Sequence, residues 1–241
     1  AYGEEAQEPA EPAYLNTREH DAYIQGNDGR FRPEDSLSRA EAVAMLARLS
    51  VDEQGNLLYS GAPGTGGFSD VKRGDWYAPY VAFAKRYGIA NGYLDGTFRP
   101  EQPVSRAELV KLIASYFTVE GGTSPFPDVP DGHWAAEVVS FAAEEGWVSG
   151  YPDGTFRPQK SITRGEAAVI LLNAVGTPVS RPGTTTLGDV WGNVTITSSG
   201  VTLKDTVVAG NLYVTAGVEL GDVVLENVKV LGEIVVSGGG V

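Results

Sequence analysis

The chain contains no cysteine, which removes disulfide staples and thiolate metal ligands from the devices that could stabilise it or give it chemistry. Histidine is nearly absent: His20 and His133 are the only two. They sit in unrelated contexts, and no Ser-His-Asp or metal-ligand spacing occurs, so general acid–base catalysis has no evident player. Positive charge is scarce as well. Lys and Arg total 18 against 31 Asp and Glu, a net charge of −13, which argues against a nucleic-acid binder because phosphate binding needs a basic footprint. No apolar run reaches the ~20 residues of a membrane-spanning helix. The chain opens on Ala1 without an initiator Met, as expected of a secreted protein whose signal peptide has been removed or of a piece excised from a longer chain; the Glu/Pro-rich start favours the first.

What is present is repetition. Three times a turn ending in Asp-Gly-x-Phe-Arg-Pro is followed, after a short spacer, by Ser/Thr-Arg-x-Glu. The copies are Asp28–Pro33 with Ser38-Arg39-Ala40-Glu41, Asp95–Pro100 with Ser105-Arg106-Ala107-Glu108, and Asp153–Pro158 with Thr163-Arg164-Gly165-Glu166. The second and third copies superpose at a constant offset of 58 that also matches Phe68-Ser69-Asp70-Val71 to Phe126-Pro127-Asp128-Val129, Trp76 to Trp134, and Gly92-Tyr93 to Gly150-Tyr151. Each unit reads as helix, turn-rich loop, helix. The first helices are expected near residues 76–87 and 134–145, stopped by Gly88 and Gly146. The second helices carry apolar residues at helical spacing, Leu109, Val110, Leu112, Ile113, Tyr116 and Phe117 in one copy, Ala167, Ile170, Leu171 and Val175 in the other. The first copy lacks the Phe-x-Asp-Val and Trp half, and its extra residues fall in a Gly-rich loop over 52–67. Such units bury their apolar faces only by packing together.

Beyond Val175 the pattern changes. Residues 187–241 are rich in Val and Gly with alternating short runs, and Val201-Thr202-Leu203-Lys204-Asp205 aligns with Val223-Val224-Leu225-Glu226-Asn227 at an offset of 22. Short strands with Gly or Asx corners at this period predict coils of a parallel β-solenoid, Asp205 and Asn227 stacking as a corner ladder; a β-sandwich is the alternative. The chain therefore divides into an acidic Glu/Pro tail (1–13), a truncated repeat (14–51), the loop (52–67), two full repeats (68–119 and 120–176), a linker (177–186) and the solenoid segment (187–241).

Ser38/Glu41, Ser105/Glu108 and Thr163/Glu166 have the spacing of capping boxes. That does not explain Arg39, Arg106 and Arg164, each at the first helical position, where the macrodipole mildly disfavours a cation. Two readings stay open: a structural ion pair, for instance to Asp70 or Asp128 of a neighbouring unit, or an external anion that meets guanidinium and helix N–H groups together. Trp76 and Trp134 are either half-buried core residues or stacking faces for a sugar ring. Phe31, Phe98 and Phe156 read as core anchors. Asp28, Asp95 and Asp153 read as turn residues, since a Ca²⁺ site lacks a second acidic partner at loop spacing.

The combination Phe-x-Asp-Val, Trp, Gly-Tyr-x-Asp-Gly-Thr-Phe-Arg-Pro and Ser/Thr-Arg-Ala/Gly-Glu resembles the S-layer homology repeat, nearly complete over 68–117 and 126–175 and truncated over 14–49. The resemblance implies a multidomain α plus β chain in which the helical repeats form a pseudo-trimer bundle ahead of the short parallel β-solenoid. It also implies a secreted, non-catalytic protein of the bacterial cell wall or S-layer, without cofactor, whose partner is a secondary cell wall polysaccharide, often pyruvylated. On that resemblance the glycan contacts are Arg39, Arg106, Arg164, Trp76, Trp134, Asp70, Asp128, Gly92 and Gly150, with two well-formed grooves and a third altered by the truncated repeat. A self-assembling S-layer or fibre subunit, joined through solenoid ends or the N-terminal tail, is the second reading. A polysaccharide-processing enzyme is the third, and it would need a catalytic domain beyond Val241.

Overall fold

The computed structural model describes residues 12–18, 20, 23–26, 29–219 and 221–238. Most of the acidic tail, Asp28 of the first turn and Gly239-Gly240-Val241 lie outside the described residues. Among the described residues there are five α-helices: α1 (Arg39–Arg48), α2 (Ala78–Arg86), α3 (Arg106–Ala114), α4 (Ala136–Glu144) and α5 (Arg164–Val175). None is long and apolar enough to cross a membrane. A two-stranded antiparallel pair, β1 (Tyr14–Leu15) with β2 (Ser50–Val51), ties the start of the first repeat to the end of α1.

Helices α1, α3 and α5 all begin at the repeated arginine, and each has a complete capping box. The hydroxyl of Ser38, Ser105 or Thr163 accepts from the N–H of Glu41, Glu108 or Glu166, and that glutamate accepts from the cap N–H in return. α2 packs on α1 and α4 on α3, while α3 also contacts α1 and α5. Gly88 and Gly146 end α2 and α4 at φ +69° and +72°, where a residue with a Cβ would be strained. Both helices are shorter than expected from sequence, and Trp76 and Trp134 precede them. Asp75 accounts for this in the second repeat: its carboxylate accepts from Lys72 N–H and its carbonyl from Ala78 N–H, so a turn occupies the place of the first helical residues. His133 closes the matching turn through Ala135 N–H to Nδ1 and Ala136 N–H to its carbonyl.

The three motif helices meet through backbone hydrogen bonds that run in a closed ring. Leu37 N–H donates to the Ile162 carbonyl, Ile162 N–H to that of Val104, and Val104 N–H to that of Leu37, each at 2.9 Å. All three side chains are fully buried. The next N–H groups continue the ring: Arg39, Arg106 and Arg164 donate to the carbonyls of Gln102, Lys160 and Asp35, and Ala40, Ala107 and Gly165 to those of Pro100, Pro158 and Pro33. The first N–H groups of a helix ordinarily lack partners. Here the loop of another repeat satisfies two of them and the cap side chain a third.

Phe98 and Phe156 are fully buried, packed against Phe68 and Phe126 at 5.3 and 5.4 Å between ring centroids. Phe31 is 38% exposed and is not the core anchor the sequence implied. The truncated repeat supplies no phenylalanine for it to pack on.

Gly176, at φ +90°, turns the chain directly from α5 into the solenoid. One parallel sheet has the order β3 (Thr177–Val179), β5 (Val194–Ile196), β7 (Leu212–Val214), β9 (Ile234–Val236). The other has the order β4 (Gly183–Val190), β6 (Val201–Val208), β8 (Val223–Val230). The parallel pairing makes three solenoid turns and excludes the sandwich. The segment 177–186, expected as a linker, is the first coil. Its Thr, Pro and Gly content reads as a connector, but most of its side chains are exposed or only partly buried, so polar residues serve there as strand. Val194, Ile196, Val201, Leu203, Val208, Leu212, Val214 and Val218 fill the interior. Asp205 and Asn227 bend their strands at φ +46° and +52°, and Asn227 Nδ2 donates to Asp205 Oδ1 at 2.7 Å. A second ladder runs along the other corner: Asn193 Oδ1 accepts from Asn211 N–H and Asn211 Oδ1 from Glu233 N–H.

Because Ile162 sits inside the ring, Ile162→Ala should lower stability by about 2–5 kcal/mol in urea denaturation. Leu225→Ala in the outermost coil should cost less than half as much.

Candidate functional site

The repeated arginines are almost wholly buried, with exposures of 8% for Arg39, 7% for Arg106 and 3% for Arg164. Each leaves its own helix to lie on the Phe-Arg-Pro loop of another repeat. Arg39 Nε donates to the Phe98 carbonyl at 3.0 Å and a terminal nitrogen to the Asn91 carbonyl at 3.2 Å. Its guanidinium lies 5.0 Å from the Tyr93 ring centroid and 4.9 Å from that of Phe98. Arg106 repeats this on Phe156, donating at 2.9 Å, with Tyr151 and Phe156 each 4.8 Å away. Arg164 Nε donates to the Phe31 carbonyl, one terminal nitrogen to the Gln25 carbonyl, and the other pairs with Glu41. Carbonyl oxygens and ring faces thus receive a cation that the helix dipole alone would disfavour.

This corrects two expectations. Asp70 and Asp128 do not pair with these arginines. Asp70 accepts from the N–H groups of Phe98 and Arg99 at 2.8 and 2.7 Å, Asp128 from those of Phe156 and Arg157 at the same distances. They hold Arg99 and Arg157 in left-handed conformations, both at φ +59°. The helix N–H groups are also unavailable to a ligand, because the adjoining loop and the cap use them. An anion arriving from solvent would meet side chains only.

Gly92 and Gly150 are required by packing. A Cβ at Gly92 would collide with the Phe68 ring and the Thr97 carbonyl, and one at Gly150 would sit 2.8 Å from Phe126. Asp95 and Asp153 are engaged within their turns, accepting from Thr97 or Thr155 and from Arg99 or Arg157 at 2.9 Å. The threonine hydroxyl, followed by the arginine, lowers both carboxyls, Asp95 to about 2. Among the described residues no three His, Asp or Glu side chains gather as metal ligands would.

Two clefts join these parts. One, of about 370 Å³, is lined by Arg39, Gly92, Tyr93, Glu108, Lys111 and Trp134. The other, of about 670 Å³, is lined by Arg164, Glu41, Arg48, Trp76, Arg32 and Glu101, among others. Trp76 is 55% exposed and Trp134 50%, so both present an open indole face. The pairing is not legible in the repeat order. Arg39 of the first repeat shares its cleft with Trp134 of the third, and Arg164 of the third with Trp76 of the second. The tryptophan missing from the truncated repeat is therefore the one that would stand beside Arg106. Lys160 closes that region, donating to Tyr151 Oη at 2.9 Å and to Glu166 at 2.7 Å. Lys111 was not marked by the repeat motif. Its Nζ lies 5.5 Å from the Trp134 ring centroid, and only its place one turn beyond Glu108 could have flagged it.

Burial alone would raise the Glu166 carboxyl, but Lys160, the Thr163 N–H and the Tyr151 hydroxyl bring it down to about 2 from 4.5. A depressed carboxyl contributes stability above its unfolded value that is lost as pH falls through the folded one. Stability should therefore drop between pH 4.5 and about 2. Glu166→Gln, which keeps the cap but not the charge pair, should flatten that limb in urea midpoints measured against pH.

The S-layer homology domain family matches residues 67–110 and 125–168. The chain is similar to cell surface glycoprotein 1 of Acetivibrio thermocellus, 37% identical over 170 residues that cover 65% of this chain and 7% of that protein. It is similar to a cellulosome-anchoring protein of the same organism, 32% identical over 167 residues, 66% of this chain and 37% of the relative. An amylopullulanase of Thermoanaerobacterium thermosulfurigenes is 35% identical over 154 residues, 60% of this chain and 8% of that enzyme. The aligned stretch is thus a minor part of each relative's length.

Proposed function

For a chain that carries S-layer homology domains and continues into a β-solenoid, we propose a non-catalytic cell-surface role in which the repeats grip an acidic, pyruvylated wall polysaccharide and the solenoid extends from the anchored unit. The observation that carries this reading is the cleft of Arg39, Lys111 and Trp134. It sets two cations beside an exposed indole face, the combination that suits a carboxylate carried on a sugar ring. Arginine, lysine and tryptophan recognise charge and ring faces; they are not poised acids or bases, which supports binding rather than turnover. In this reading the three repeats act as a pseudo-threefold bundle, supported by the closed hydrogen-bond ring, and relatives named as surface and anchoring proteins favour the same location. Purified chain mixed with bacterial sacculi should bind before polymer extraction and fail to bind afterwards. Equal binding to both preparations would sink the proposal.

A second, compatible reading is self-association through the solenoid. Leu203 is fully buried, yet Leu225 stacked on it is 40% exposed, and Ile234 and Val236 are open above buried Leu212 and Val214. A parallel edge with apolar side chains takes a further strand, from a next coil of the same polypeptide or from another copy. Light scattering should show concentration-dependent association that Leu225→Ser with Ile234→Ser abolishes. A strictly monomeric mass at high concentration would contradict it.

A further inference from the structure

A further cavity, of about 610 Å³, lies beside α2 and away from the repeat arginines, lined by Tyr59, Pro63, Phe83, Lys85, Arg86 and Tyr87, among others. One wall is the Gly-rich loop over 52–67, which has no counterpart between the second and third repeats. The loop is seated closely on the helix. A Cβ at Gly64 would stand 2.8 Å from that of Ala82, one at Gly66 3.0 Å from the Phe68 ring. Lys85 Nζ also donates to the Gly66 carbonyl at 2.6 Å. The floor is aromatic: Tyr59 stacks on Tyr80 at 4.4 Å between centroids and meets Phe83 edge-on at 5.8 Å, and Tyr87 lies 4.5 Å from Phe83.

Charge sets this groove apart. No Asp or Glu lines it, and among the described residues neither Lys85 nor Arg86 pairs with a carboxylate. Two uncompensated cations stand out in a chain of net charge −13. Cations suit the end of a helix, but the repeat offset puts Ala143 and Glu144 at the same places in the third repeat. The repeat frame therefore does not require them.

We propose that this groove is the docking site of the chain's own acidic tail, with the segment 2–8 lying across the tyrosines and Glu4 and Glu5 at Lys85 and Arg86. Residues 1–11 lie outside the described residues; they carry four glutamates and no lysine or arginine. Their point of attachment is near. Val51 is paired to Tyr14 and bridged to Leu57, and Leu58 N–H donates to the Ser50 carbonyl. The tail thus leaves β1 two strand spacings, about 10 Å, from the loop that walls the groove. Pro9 and Pro12 favour extended backbone for themselves and for Glu8 and Glu11 before them. At about 3.1 Å per residue, such a stretch from Tyr14 back to Glu5 covers about 28 Å. An extended, proline-containing segment suits an aromatic-lined groove, and tethering makes weak contacts sufficient. The docking does not depend on what the clefts at the repeat arginines bind.

Because the chain has no cysteine, Ala6→Cys gives a single site for a spin label on the full chain. In NMR spectra the label should broaden the amide signals of Tyr59, Gly64 and Arg86 beyond detection. Glu4→Gln with Glu5→Gln should restore most of their intensity, as should Arg86→Gln, a change at an exposed position. Salt at about 0.5 M should act in the same direction. Full intensity at the groove in the labelled chain would overturn the proposal, and so would broadening that survives both charge removals. Isotope-labelled chain without the spin label, mixed with spin-labelled chain without the isotope, should show no broadening. Broadening in that mixture would place the tail in the groove of a second copy and overturn its assignment to its own chain.

Discussion

The whole helical unit depends on a donor problem at three helix starts. A helix exposes its first N–H groups, and burying them without partners costs about 1–3 kcal/mol each. This chain brings three such starts together and lets each be satisfied by a loop of another repeat, with Leu37, Val104 and Ile162 closing the ring. The arginine at each start completes the lock by reaching the adjoining Phe carbonyl. Its place at the positive end of the dipole makes sense once its destination is known. No repeat is whole without a loop supplied from elsewhere in the chain, and so the clefts, which lie where loops and helices of different repeats meet, exist only in the assembled unit.

The same interlock explains why a defect in one repeat is felt in another. The truncated first repeat keeps its arginine, its capping box and its helix, so the Arg39 cleft is intact. What it fails to deliver is a tryptophan for Arg106 and a Gly-Tyr turn for Arg164, where Gln25-Gly26 stands instead. The solenoid follows a simpler rule, in which each coil covers the apolar face of the one before it. The side chains of β8 and β9 lie largely exposed.

Much of this was legible in the sequence. The three capping boxes, the glycine stops of α2 and α4, and the parallel coils with their Asp205–Asn227 ladder all follow from short-range spacing, which carries its own physics. The solenoid's first coil was not legible, because Thr and Pro at an exposed strand look like a linker. Nor were the partners of Asp70 and Asp128, since a carboxylate that accepts two backbone N–H groups leaves no mark distinguishing it from one that pairs with arginine. Phe31 shows the converse error: the motif was right, but its packing partner was absent. The match of Arg39 with Trp134 depends on how three repeats close on one another, and no pairwise alignment of the repeats contains that information.

Native-state hydrogen exchange at the amides of Leu37, Val104 and Ile162 tests the central claim most directly. If the ring locks the repeats into one cooperative unit, the three amides should exchange with the same opening free energy, equal to that of global unfolding of the helical region. A Leu37 amide that exchanges well ahead of the other two would show the truncated repeat opening on its own, and would contradict the account.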